Sequence, residues 1–211
     1  LNISGTNVSD LSPLQSLSEL ERLYISNTEV EDLSPLSGLN KLQTIYLDST
    51  RIQSIQPLDK LPALEHVYCD NTGVRGKEAN EFMANNPKVL VIYESVALAR
   101  WWEEMSQEWK NILNEVASLG PEPGKEQLHQ AVKIEEVDIS GNTNITSLSP
   151  LKRLVQLKKL HCGGTGISDL SPLSDLIDLK YLDCSNTGVQ TCDALHDLMN
   201  LEYLDLSNTP I

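Results

Sequence analysis

Leu20-Glu21-Arg22-Leu23-Tyr24-Ile25-Ser26-Asn27-Thr28-Glu29-Val30-Glu31-Asp32-Leu33-Ser34-Pro35-Leu36-Ser37-Gly38-Leu39 is the stretch on which the reading of this chain turns. Its Thr28 belongs to a series at 22-residue spacing, Thr6, Thr28, Thr50 and Thr72. A second series, Thr143, Thr165, Thr187 and Thr209, keeps the same spacing, and the same apolar frame returns around each threonine. A fixed period of this length describes one small unit stacked on copies of itself, because a single unit cannot bury its own apolar face.

Within one unit, Leu23 and Ile25 alternate with Tyr24, the period of a short strand with its apolar side inward. Thr28 then turns inward, where its hydroxyl can satisfy loop backbone and build an internal ladder. Ser34 reads as a helix N-cap and Pro35 as a first helical residue, so a short helical turn is expected there. Ser12-Pro13, Ser149-Pro150 and Ser171-Pro172 repeat the signal, with Gln56-Pro57 as a variant. Leu36, Leu39 and Leu42 return the chain to the next strand. The expected fold is therefore α/β: a right-handed solenoid of leucine-rich repeats with a parallel concave sheet and short convex helices.

The two threonine series stand 71 residues apart, which is not a multiple of the period. One more strand is expected at Val89 and Val91, since they follow Val67 and Cys69 by 22 residues. From Ser95 to about Leu119 the spacing becomes helical, through Leu98, Trp102, Met105, Trp109, Ile112, Leu113 and Val116, with Ser106 able to cap a second helix. All three tryptophans lie there. The segment reads as a cap over the open end of the first array or as a docking helix for a partner. Pro121, Pro123 and Gly124 end it, and Lys125–Val132 reads as a short helix opening the second array. The expected organisation is a first array over 1–93, an all-α connector over 94–124 and a second array over 125–211. An extra residue near Gly141-Asn142 implies a bulge.

A formal charge of −14 points away from nucleic acid and anionic membranes and towards a neutral or basic partner. It also suits a solvated acidic surface that keeps an elongated protein soluble. No stretch reaches the roughly 18–20 apolar residues of a membrane span. Leu1 and Ile211 both fall inside a repeat, so targeting segments and further repeats are expected outside this sequence. Cys69, Cys162, Cys184 and Cys192 all fall in inward slots and read as small buried hydrophobes. Cys162 and Cys184 are stacked neighbours, about 5 Å apart by strand spacing, a distance that does not exclude a disulfide. Buried free thiols fit a reducing compartment and so the cytoplasm; the competing expectation is a surface or secreted protein.

Outward strand positions define the candidate binding face. In the first array these are Tyr24, Tyr46 and Tyr68, with Arg22 and His66 on one side and Asp48 and Asp70 on the other. In the second they are Asp138, His161, Asp183 and Asp205, flanked by Lys159, Tyr181 and Tyr203, a more acidic and less aromatic face. Aligned tyrosines either bind a partner or stack on each other and stiffen the sheet. Nothing converges on Asp183 and Asp205 that would make them a metal or catalytic pair. Gly163-Gly164-Thr165-Gly166 lacks the Lys-Ser/Thr end of a phosphate loop. Neither a cofactor nor an enzymatic activity is expected.

The frame with Asp-Leu-Ser-Pro-Leu resembles the 22-residue leucine-rich repeats of listerial internalins and of a eukaryotic phosphatase regulator. With Thr in the ladder, Cys in the strand slot and the Trp101-Trp102-Glu103-Glu104-Met105-Ser106-Gln107-Glu108-Trp109-Lys110 unit, it is most similar to multi-repeat proteins of gut Bacteroidota. The resemblance implies a scaffold that binds another protein on its concave face, by analogy of fold. A surface adhesin or glycan-binding module is the first alternative, and the recognition region of a larger enzyme is the second.

Overall fold

The structure, a computed structural model, describes residues 1–211, which divide into two compact units, Leu1–Leu98 and Ala99–Ile211. The first holds a parallel sheet of β1 (Arg22–Tyr24), β2 (Thr44–Tyr46), β3 (His66–Tyr68) and β4 (Leu90–Ile92), in that order. The second holds a parallel sheet of β5 (Glu136–Asp138), β6 (Lys159–His161), β7 (Tyr181–Asp183) and β8 (Tyr203–Asp205). The α/β repeat fold expected from the period is the fold observed.

Each strand is three residues long, with its central side chain inward. Leu23, Ile45, Val67 and Val91 line one core column and Leu160 and Leu182 another, all fully buried. Short 3-10 turns at Ser34–Leu36, Gln56–Leu58, Ser149–Arg153 and Ser171–Leu173 carry the chain back. Their capping differs from expectation. The serine is the first residue of the turn, and the carboxylate two residues earlier does the capping: the N–H groups of Ser12, Ser34 and Ser171 each donate to Asp10, Asp32 and Asp169 at 2.8 Å. Hydrogen bonds favour the ionised acid: the serine hydroxyl first and the N–H second at Asp10 and Asp32, the N–H first at Asp169, hold all three carboxyls below the usual Asp range.

The threonine ladder is internal to each repeat. The hydroxyls of Thr28, Thr50, Thr72, Thr165 and Thr187 donate to the carbonyl three residues earlier at 2.6–2.7 Å, and all five side chains are buried. Each follows a residue with left-handed backbone: Asn27, Ser49, Asn71, Gly164 and Asn186. In the first repeat of the second array that left-handed residue is Gly141, so the ladder slot falls on Asn142. Thr143 is one position too late and is exposed. The strands explain the slip, since Val137 pairs with Leu160, 23 residues on, while Ile145 and Ile167 accept equivalent bonds from Gly166 and Gly188. The inserted residue lies between Asn142 and Ile145.

Two more departures come from the same kind of local length change. Val67 pairs with Val91, 24 residues on, so the 22-residue spacing to Val89 does not give the register. The cause is α1 (Gly76–Asn85), a ten-residue helix where other repeats have a 3-10 turn; it buries Ala79, Phe82 and Met83. Cys192 is exposed, whereas its equivalents Leu148 and Leu170 are buried under the next repeat's turn; nothing in this chain stacks over Cys192.

The helical segment forms α2 (Ser95–Glu103), α3 (Gln107–Ala117) and α4 (Lys125–Ala131), with the division between units falling inside α2. Ser106 caps α3, its hydroxyl accepting the Trp109 N–H at 3.4 Å. A buried indole N–H needs an acceptor. Trp101 Nε1 donates to the Pro150 carbonyl and Trp109 Nε1 to the Ser147 carbonyl, both at 3.0 Å. These two indoles tie the helices to the first turn of the second array. No helix is long and apolar enough to cross a membrane.

Candidate functional site

The outward face of the first sheet carries two rows. One runs Arg22, Thr44, His66, Leu90; the other runs Tyr24, Tyr46, Tyr68, Ile92. Parallel pairing with exact register places like positions about 4.8 Å apart, close to the thickness of stacked rings. The phenols accordingly stack: Tyr24 and Tyr46 lie 4.6 Å apart at 4°, and Tyr46 and Tyr68 lie 4.3 Å apart at 11°. Such a column turns ring edges and hydroxyls to solvent and uses the ring faces internally.

Accessibility falls along the column. Tyr24 and Tyr46 are half-buried, while Tyr68 is 8 % exposed and packs with Leu90 and Ile92, the latter fully buried. Tyr68 is therefore a packing residue more than a contact residue, which its sequence position did not reveal. Its neighbours on β4 are apolar instead of polar, and the misplaced register of that strand hid them. His66 is half-buried, its ring 6.2 Å from that of Tyr68. Arg22 is exposed and forms no ion pair.

Asp48 and Asp70 are not loose charges. Asp48 Oδ1 accepts the Asp70 N–H, and Asp70 Oδ1 accepts the Ser95 N–H, each at 2.8 Å. At this strand end the Leu47 carbonyl is taken by Thr50, and a carboxylate satisfies the N–H that a longer strand would have used.

The second array has a ring column that the sequence reading underrated. Tyr181 and Tyr203 stack at 4.3 Å and 3°, and His161 lies 4.6 Å from Tyr181 at 35°. Its register (Lys159, Tyr181, Tyr203) is the first strand position, where the first array's column uses the third, so the sequence reading placed these rings only as flanking residues. Tyr181 beside it, then burial and Asp205, push the Tyr203 phenol upward. Lys159 pairs with Glu136 at 3.3 Å, and His161 Nε2 lies 3.6 Å from the same carboxylate. Asp138, Asp183 and Asp205 accept the N–H groups of Ser140, Ser185 and Ser207 at 2.8–2.9 Å. Those backbone bonds are the leading reason that Asp138 and Asp205 sit below the usual range.

The glycine-rich loop belongs to this turn chemistry. A Cβ on Gly163 would come within 3.1 Å of Asp183 Oδ1, and Gly164, at φ +72°, fills the slot that Asn186 fills in the next repeat. No group of three or more His, Cys, Asp or Glu side chains is arranged to hold a metal ion.

Comparisons with known proteins agree with this repeat geometry. The family described as Leucine Rich repeats (2 copies) matches residues 1–38, 132–175 and 155–195, together just under half of the chain. A search of curated proteins gave no significant match. Among solved structures, the chain is similar to an internalin of Listeria monocytogenes at 20 % identity, covering 98 % of this chain and 53 % of that one, with a TM-score of 0.39. The functional domain of InlJ from the same organism, which includes a cysteine ladder, matches at 20 % identity over 100 % and 44 %, TM-score 0.37. A leucine-rich repeat protein of Leptospira interrogans matches at 13 % over 99 % and 54 %, TM-score 0.36. This chain thus spans about half the length of the structures it resembles. The particular likeness to Bacteroidota proteins is not shown by these matches. Leucine-rich repeats are typical of protein–protein interaction modules, and this chain has the period and the parallel sheets of a leucine-rich repeat fold, with that family matched over just under half of it.

Proposed function

We propose that the chain is a non-catalytic scaffold that binds another protein on the strand face of its first array, with Arg22, Tyr24, Tyr46 and His66 as contact residues. The observation that carries this reading is the pair of half-buried coplanar phenols beside an exposed guanidinium without an ionic partner. Stacking fixes both rings before any partner arrives, so little side-chain entropy remains to be lost on binding. Tyrosine and arginine are the residue types that most often dominate interface energetics. Asp48 and Asp70 border the face but serve its turns, and Tyr68 supports the column from within. In the second array Lys159, His161, Tyr181, Asp183, Tyr203 and Asp205 are engaged with each other, with Glu136 or with turn backbone, so they form a secondary surface. The net charge of −14 favours a neutral or basic protein as partner.

A glycan-binding role fits the rings less well. Sugars stack on aromatic faces, and here neighbouring rings at 4.3–4.6 Å occupy those faces.

The test is capture from lysate and surface extract of the source organism, followed by affinity measurement with the captured protein. Tyr24→Ala/Tyr46→Ala should weaken binding by roughly 30-fold or more, the equivalent of about 2 kcal/mol. Tyr24→Phe/Tyr46→Phe keeps the stack and reads the hydroxyls alone. Equal binding by wild type, by the alanine pair and by Arg22→Ala, all folded by circular dichroism, would refute the assignment.

A further inference from the structure

We infer that Cys162 and Cys184 form a paired-thiol site that closes into an inter-repeat disulfide when a small disulfide oxidant reaches it. The two Sγ atoms are 3.0 Å apart, and neither side chain is exposed. Both residues directly follow registered strand positions, His161 opposite Asp183, so they stand level on adjacent parallel strands. Strand spacing of about 4.8 Å lies inside the Cα window of roughly 4.4–6.8 Å that a disulfide accepts.

The main chain at both positions is held on every side. The Cys162 N–H donates to the Asp183 carbonyl at 2.8 Å, and the Cys184 N–H to the Asp205 carbonyl at 2.9 Å. The two cysteine carbonyls accept the hydroxyls of Thr165 and Thr187 at 2.7 and 2.6 Å. The sulfurs are thus brought together by the same ladder that closes each repeat. The equivalent column of the first array offers no such pair, since Cys69 stands between Leu47 and Tyr93.

In the closed fold the pair is unreactive. The hydrogen bond with Cys184, followed by burial, pushes the Cys162 thiol far up. Reaction therefore runs through local opening of β8, where Leu204 is 43 % exposed and Leu206 half-buried, so little packing resists it. On opening, one thiol loses its proton and its thiolate attacks a sulfur of the oxidant, breaking that S–S bond and releasing one reduced thiol. The second cysteine then attacks the mixed disulfide, forming the Cys162–Cys184 bond and releasing the other. Two protein thiols are oxidised, and one external disulfide is reduced to two thiols.

The experiment uses the full chain carrying Cys192→Ser, which removes the exposed thiol and leaves three cysteines. After incubation with oxidised glutathione, free thiols are counted in denaturant and tryptic peptides are mapped without reduction. The expected result is a fall from three free thiols to one, with residues 160–180 linked to 181–211. That linkage should vanish on reduction, and Cys162→Ser/Cys192→Ser should retain both remaining thiols. Three surviving thiols, a glutathione adduct without a cross-link, or a link through Cys69 would each overturn the inference.

Discussion

Thr165→Val tests the ladder directly, because valine keeps the shape of threonine and deletes only the hydroxyl. Thr165 is 6 % exposed and its hydroxyl donates to the Cys162 carbonyl at 2.7 Å. That carbonyl sits at a strand end inside the stack, and water cannot reach it in place of the lost donor. Leaving a buried acceptor unsatisfied costs about 1–3 kcal/mol, and the added methyl recovers only part of it. The expected net loss is about 1–2 kcal/mol. For a unit of this size each kcal/mol corresponds to roughly 4–8 °C in Tm. Thr143→Val is the matched control in the same unit: Thr143 belongs to the sequence series but is exposed and out of the ladder slot, so its change should stay within about 0.5 kcal/mol. Urea unfolding followed by tryptophan fluorescence reads both, since Trp101, Trp102 and Trp109 all report on this unit. Equal destabilisation by the two substitutions, or none by Thr165→Val, would show that the ladder contributes no net stability.

Three further outcomes follow from the same geometry. Ser49 is the only ladder-turn residue with left-handed backbone that is neither Asn nor Gly (φ 56°), so Ser49→Asn should stabilise the first array by about 0.5 kcal/mol in denaturant melts; destabilisation would contradict the assigned backbone. Trp109→Phe keeps an aromatic core but removes the bond to the carbonyl of exposed Ser147, and should cost about 0.5–1.5 kcal/mol, while an unchanged Tm would argue against the anchor. Asp10, Asp32 and Asp169 have carboxyls held below the ordinary value near 3.9, so their contribution is fully present above that pH and lost as pH falls through the depressed values. Wild type should therefore exceed Asp32→Asn in Tm at pH 7 and lose that margin progressively as the solution is acidified below the ordinary carboxylate value; a margin independent of pH would place the cap elsewhere.

The period was legible because it is written in residues that have no alternative role: threonine at a buried turn, leucine at every return. It failed wherever one repeat changed length. Thr143 kept the 22-residue spacing while the strand beside it shifted by one, and α1 displaced β4 by two, so periodicity in sequence and register in space came apart. The helices from Ser95 were visible from their three- and four-residue spacing, and Ser106 from its position between two such runs. Which array they anchor was not visible, because an indole's acceptor is a backbone carbonyl and carries no residue signature. The candidate face was half legible. Alternation identified the outward rows, but the burial of Tyr68 depends on Leu90 and Ile92 at the displaced strand. The Tyr181–Tyr203 stack runs through a strand position where the first array has Arg22 and Thr44. Cys192 was misread because its slot is buried only when another repeat covers it.

The bond from the Asp70 N–H to the Asp48 carboxylate has a bearing on how this chain reaches its native order. Successive repeats are so alike that β1 could lie against β3 with Leu23 beside Val67, leaving one repeat looped out. Mis-assembly of this kind is a characteristic hazard of repeat proteins. In the skipped arrangement Ser26 would stand where Asp48 belongs, offering a shorter hydroxyl in place of a carboxylate. The correct neighbour is thus marked by a side chain that its counterpart in the preceding repeat does not carry. A single acid at the end of a three-residue strand works as an address, telling nearly identical segments which of them comes next.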